Sequence, residues 1–67
     1  MPEVYIYTLE GRTIDEKKAL VRDITDAMVK HFKAKPDKVI IQIVEAQKHN
    51  KASGGVLLSE LLAPAKS

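Results

Sequence analysis

The chain has 67 residues, 45% of them hydrophobic, and no cysteine, which limits it to one domain and excludes a disulfide framework or a thiolate metal centre. Eleven basic and nine acidic side chains leave a net charge of +2, a mixed surface that gives no reason to expect nucleic acid. No run of residues is long and apolar enough for a membrane span, and Glu3 and Glu10 stand where a secretory leader would be basic and then apolar, so a cytoplasmic location is the expectation.

Pro2 directly succeeds Met1. With Met1 in place its nitrogen is a tertiary amide without useful basicity; removal of Met1 would turn it into a free secondary amine. An unperturbed α-amino group has a pKa of about 7.7–8.0. A cationic neighbour or partial burial that lowers this by a unit or two leaves most of the amine neutral at pH 7. Arg12 is a candidate for that neighbour. A proline at position 2 alone means little; its weight comes from the strand and the Leu9–Thr13 segment downstream of it.

Val4 to Leu9 is rich in β-branched and aromatic residues and reads as a strand, broken by Glu10-Gly11. Thr13 and Glu16 form a T-x-x-E capping box at a helix start. Leu20, Val21, Ile24, Ala27, Met28 and Phe32 then trace one apolar stripe of 3.6-residue period, which predicts a helix over 14–33. His31 sits at the stripe's edge and reads as a core-edge or interface residue. Pro36-Asp37 ends the helical run. Val39 to Val44 is nearly continuously apolar and reads as a second strand buried on both faces, as in a parallel pair. Tyr5, Tyr7 and Phe32, the only aromatic residues, are read as part of the core patterns. Residues 47–51 are polar and form a loop, and Gly54-Gly55 marks the turn of a small hairpin. Leu57, Leu58, Leu61 and Leu62 fit either a short helical turn or an extended arm. Residues 63–67 read as a frayed tail.

A chain of this size buries only about 60% of the surface that its unfolded form exposes, and small domains make up the shortfall with disulfides, a metal or association. Cysteine is absent, and His31 and His49 are eighteen residues apart with no local metal-ligand partner. Association remains. The expected architecture is α/β (α+β): a β-α-β unit with parallel strands and a C-terminal hairpin, assembled as an oligomer.

The order Pro2, strand, Leu9-Glu10-Gly11-Arg12-Thr13, Lys17 and Leu20-Val21-Arg22 resembles the short-chain 4-oxalocrotonate tautomerase family. So does the strand ending at Glu45, with a loop and Gly54-Gly55 after it. The resemblance runs from Pro2 to about Ser59. It implies a homo-oligomer built from dimers, commonly a hexamer, that works without a metal or organic cofactor. It also implies keto-enol tautomerisation of small anionic enol or 2-oxo acids. Pro2 matches the family's general acid/base and Arg12 the residue that binds a substrate carboxylate or carbonyl. Both residue types suit the chemistry. Moving a proton across a conjugated system needs a base with a pKa near ambient pH, and positive charge where the oxyanion develops. Arginine holds a carboxylate bidentately.

Two positions depart from the family pattern. Ile40 stands where the studied tautomerases carry a second arginine, leaving a hydrocarbon pocket wall, and Lys51 stands where they carry an aromatic residue. Lys51, or Lys38 placed two residues before Ile40 on the same strand face, is a candidate for the lost cation; the plain alternative is a surface lysine. His49 lies in the loop close to the expected site. Two other readings stay open: hydratase, dehalogenase or decarboxylase activity on the same fold, or a catalytically weak subunit of a hetero-oligomer that supplies the missing arginine.

Overall fold

The computed structural model describes residues 1–62, so the expected tail at 63–67 lies outside the described residues. Strand β1 runs Glu3–Leu9, helix α1 Ile14–Phe32 and strand β2 Ile40–Ala46. A small hairpin of β3 (Ala52–Ser53) and β4 (Val56–Leu57) comes next, and a single turn of helix, α2 (Leu58–Leu61), closes the described chain. This is the expected α+β arrangement, and the leucine-rich end settles as a helical turn.

Helix α1 starts as its capping box dictates. The Glu16 N–H donates to Thr13 Oγ1 at 3.1 Å, and the Thr13 N–H donates to Glu16 Oε1 at 2.9 Å. Just before it, Gly11 adopts φ 119°, a conformation that a side chain would resist, and lets the chain leave β1 and reverse. At the other end Lys33 closes α1 in the left-handed conformation at φ 58° and ψ 29°. A 3₁₀ turn, Pro36–Lys38, then leads into β2, with Pro36 at its first position, where a missing N–H costs nothing.

The strands pair in parallel from Glu3 opposite Ile40 to Leu9 opposite Ala46. Residues in register share a face, because side chains alternate along each strand. Val4, Ile6, Ile41 and Ile43 are therefore on one face, half-buried beneath α1, and Glu45 on that face reaches Lys17 of α1 at 2.9 Å. Tyr5, Tyr7 and Ile40 lie on the other, exposed by 53%, 71% and 44%. Two sequence expectations are corrected here. The second strand is covered on one face only, since a single crossover helix can cover only one side of a two-stranded sheet. The three aromatic residues are not core residues of the isolated chain: Tyr5 and Tyr7 stand on the open face, and Phe32 at the end of α1 is 68% exposed.

Along α1 the half-buried positions are Lys17, Val21, Ile24, Thr25, Met28 and Val29. Leu20, Ala27 and Phe32, also in the predicted stripe, fall on its exposed edge. The apolar surface of the helix is wider than two strands can cover.

The hairpin turns at Gly54 and Gly55, whose φ values of 60° and 83° are the pair of positive angles that a two-residue type I′ turn demands. The Leu58 N–H donates to the Lys51 carbonyl at 2.8 Å and folds α2 back on the 3₁₀ turn Lys48–Asn50. Val56, Leu57, Leu61 and Leu62 remain exposed. Among the described residues none is fully buried, and the principal extents are 47 × 24 × 15 Å. The radius of gyration, 15.8 Å, exceeds the roughly 11 Å expected of a compact chain of this length. Much of the hydrophobic surface that the sequence provides therefore stays exposed in the single chain.

Candidate active site

The parallel register sorts the candidate residues into two groups. Pro2 is at the start of β1, where its carbonyl accepts the Ile40 N–H at 3.0 Å. Ile40 and the turn that carries Lys38 are thus at the Pro2 end of the sheet. Lys38 belongs to the 3₁₀ turn and not to the strand, so the expected strand-face relation between Lys38 and Ile40 does not hold. Pro36 initiates that turn and absorbs the residues through Lys38 before the ladder begins.

Arg12, His49 and Lys51 are at the far end. The Glu10 N–H donates to the Ala46 carbonyl at 3.0 Å, which places the chain leaving β1 beside the chain leaving β2. Arg12 lies on the first of these exits, and His49 and Lys51 lie on the second. Between Pro2 and Leu9 the strand extends about 23 Å at its usual rise of about 3.3 Å per residue. That is far beyond the reach of an arginine side chain. The expected neighbourhood of Arg12 and Pro2 therefore does not exist within one chain. It requires the Arg12 end of one copy to meet the Pro2 end of another.

Arg12 overhangs a groove of about 180 Å³ between α1 and the helix-side face of the sheet. Ile6, Leu20 and Ile43 form its apolar floor, and Thr8, Glu16 and Lys17 its polar rim. The acidic groups there already have partners. Glu45 pairs with Lys17. Glu16 is held by the Thr13 backbone N–H, which together with the charge of Arg12 keeps its carboxyl below the usual value. Arg12 has no ion pair among the described residues, so its guanidinium is available to an outside anion. The roles of Thr8, Glu16 and Lys17 around Arg12 were not read from the sequence. Their one visible sign was the capping box, which fixes Glu16 one helical turn from Arg12.

At the Pro2 end the neighbours differ. Glu3 lies on the open face, and its carboxylate accepts the Tyr5 hydroxyl at 2.8 Å. This bond and the Glu3 charge raise the Tyr5 pKa above its ordinary value of 10.0. Ile40, in register with Glu3, presents only hydrocarbon. Among the described residues no group of three or more His, Cys, Asp or Glu could hold a metal ion, and no helix is long and apolar enough to cross a membrane.

Residues 2–61 match the family model described as "Tautomerase enzyme". A probable tautomerase of Bradyrhizobium diazoefficiens is 44% identical over 66 residues, which are 98% of this chain and 98% of that protein. A 2-hydroxymuconate tautomerase of Bacillus subtilis is 36% identical over 61 residues, covering 91% of this chain and 98% of its own. Among solved structures, a heterohexamer 4-oxalocrotonate tautomerase from Chloroflexus aurantiacus superposes with a TM-score of 0.81 at 30% identity. That superposition covers 91% of this chain and 98% of the other. With a family match over almost its whole length and relatives this similar end to end, the chain belongs to the tautomerase family.

Proposed function

We propose that this tautomerase moves a proton between oxygen and carbon in small anionic enol or 2-oxo acids. Pro2, freed by loss of Met1, is the general acid/base, and Arg12 of a neighbouring copy binds the carboxylate or developing oxyanion. The Pro2 lone pair takes the enol hydroxyl proton, the oxygen electrons close to a carbonyl, and the conjugated double bonds shift. The same nitrogen then delivers the proton to the terminal carbon. Atoms and charge balance without a co-reactant, and no cofactor is required.

The observation that carries this reading is the match over residues 2–61, whose fold puts Pro2 at the open start of β1. The groove under Arg12 supports the substrate class: its apolar floor suits a short hydrocarbon chain and its unpaired guanidinium a carboxylate. Intact mass reporting loss of Met1, together with ketonisation of phenylenolpyruvate or 2-hydroxymuconate, tests it. Retention of Met1 in the functional protein, or absence of turnover in Met1-free protein, refutes it.

Assembly is part of the same proposal, with a homohexamer built from dimers as the favoured form. A hetero-oligomer is the second reading, favoured by hydrocarbon at Ile40 and by the likeness to the Chloroflexus heterohexamer. Native mass of the chain purified alone separates the two: a stable hexamer supports the first, and a monomer or aggregate the second.

A further inference from the structure

The charge of this molecule is unevenly placed. Residues 33–38 hold three lysines, Lys33, Lys35 and Lys38, and one acid, Asp37. Their formal balance of +2 equals that of the entire chain. All three lysines are exposed and none has an ion pair among the described residues. The fold carries this segment to the Pro2 end of the sheet. The Lys38 N–H donates to the Lys35 carbonyl at 2.9 Å, the Val39 N–H to that of Pro36 at 3.3 Å, and the Ile40 N–H to that of Pro2 at 3.0 Å. Lys38 is two residues from Ile40, so at most about 7 Å of chain separates their Cα atoms. Lys33 is held by the left-handed close of α1, with its ammonium on the Lys30 carbonyl at 3.3 Å.

We propose that Lys33, Lys35 and Lys38 form a cationic rim at the Pro2 end that recruits substrates by their charge and sets a preference for doubly over singly anionic acids. The inference rests on Pro2 as the reacting base. Lys38 close to an apolar Ile40, with Lys35 and Lys33 farther along the same segment, raises the potential at this end of the sheet without offering the fixed fork of an arginine. Such a field concentrates anions and speeds their association by tenfold or more when several charges act together. Because each substrate charge feels the same potential, the gain for a dianion is about the square of the gain for a monoanion. The rim also opposes protonation of the Pro2 amine. The other charged or titratable groups at this end are Glu3 and Tyr5 on β1, Lys30 and His31 in the last turn of α1, and Asp37 within the rim itself.

The test compares Met1-free wild type with a Lys33→Gln, Lys35→Gln, Lys38→Gln triple variant, on 2-hydroxymuconate as dianion and phenylenolpyruvate as monoanion. The expected loss in kcat/KM is about tenfold for the dianion and about threefold for the monoanion at low salt. Both losses fade in 0.5 M salt, where the screening length falls to a few ångströms, about 4. The triple Lys→Arg variant keeps wild-type values, which separates charge from folding. Equal kinetics for wild type and the Gln variant, or equal losses on both substrates, overturn the rim. If Pro2→Ala lowers turnover by about 10²-fold or more in that same comparison, the functional reading survives without it. If wild type shows no Pro2-dependent turnover, the functional reading fails instead. In that case substrate recruitment at Pro2 falls with it, and titrating the Pro2 nitrogen by NMR tests only the rim's field: a pKa that rises in the Gln variant upholds that field, and an unchanged pKa removes it.

Discussion

Pro2 and Arg12 divide the proposed work between a base and a charge, and each leaves a different kinetic mark. Pro2→Ala, with Met1 likewise removed, keeps a free amine but a primary one with altered geometry. We expect kcat to fall by about 10²–10⁴, the usual contribution of a positioned acid/base, with native mass unchanged. In wild type, turnover falls as pH drops through the amine's pKa, because protonation removes the lone pair; a profile flat through that range contradicts the assignment. Arg12→Lys retains the charge but loses the bidentate fork, so KM rises more than kcat falls. Lys51→Ala asks whether the far-end lysine contributes charge beside Arg12, and unchanged kinetics assign it to the solvated surface. Pro2 and Arg12 were singled out as candidates from the sequence, because each occupies a recognisable place around Leu9-Glu10-Gly11-Arg12-Thr13. Their separation was not legible as a distance until the register of β1 was known.

At the scale of elements, local chemistry agrees with the fold where it acts over a few residues. The capping box, the strand breaker at Gly11 and the paired glycines of the hairpin each specify their backbone without outside help. Thr13→Ala removes one side of the box and is expected to cost about 1 kcal/mol of stability, read by denaturant titration. Glu16 adds a pH dependence. Its folded-state pKa is depressed below 4.5 by the Thr13 backbone N–H, so its contribution is complete above that value and disappears as pH falls through the depressed one. In Glu16→Gln the stability profile flattens in that acidic window; a profile identical to wild type contradicts the role. Sequence pattern read less well where burial depends on partners. The run Val39–Val44 looks like a strand covered twice, and periodicity assigns Phe32 to a core, yet in one chain both meet solvent. The proposed assembly would account for that pattern, because it covers surface that one chain leaves open. Lys38 was misplaced for a different reason: Pro36 diverts the chain into a 3₁₀ turn, and that choice overrides strand alternation.

For the molecule as a whole, the absence of a buried residue among those described leads us to propose that folding and association are one process. Stability should then depend on protein concentration, with the thermal midpoint rising on concentration as expected for an obligate oligomer. Tyr7→Glu puts a charge on the open sheet face, and we expect it to lower native mass and helical circular dichroism together; a folded monomer would contradict the coupling. In the proposed function the same assembly completes the site, since β1 keeps its two ends about 23 Å apart and a second copy would have to join them. Co-assembly of Pro2→Ala with Arg12→Ala, each strongly impaired alone, tests this most directly. If sites form between copies, random mixing gives about one quarter of them an intact Pro2 and an intact Arg12, and activity returns to about that fraction of wild type. Mixed assemblies no more active than either parent would show that proline and arginine act within one chain, or not together at all.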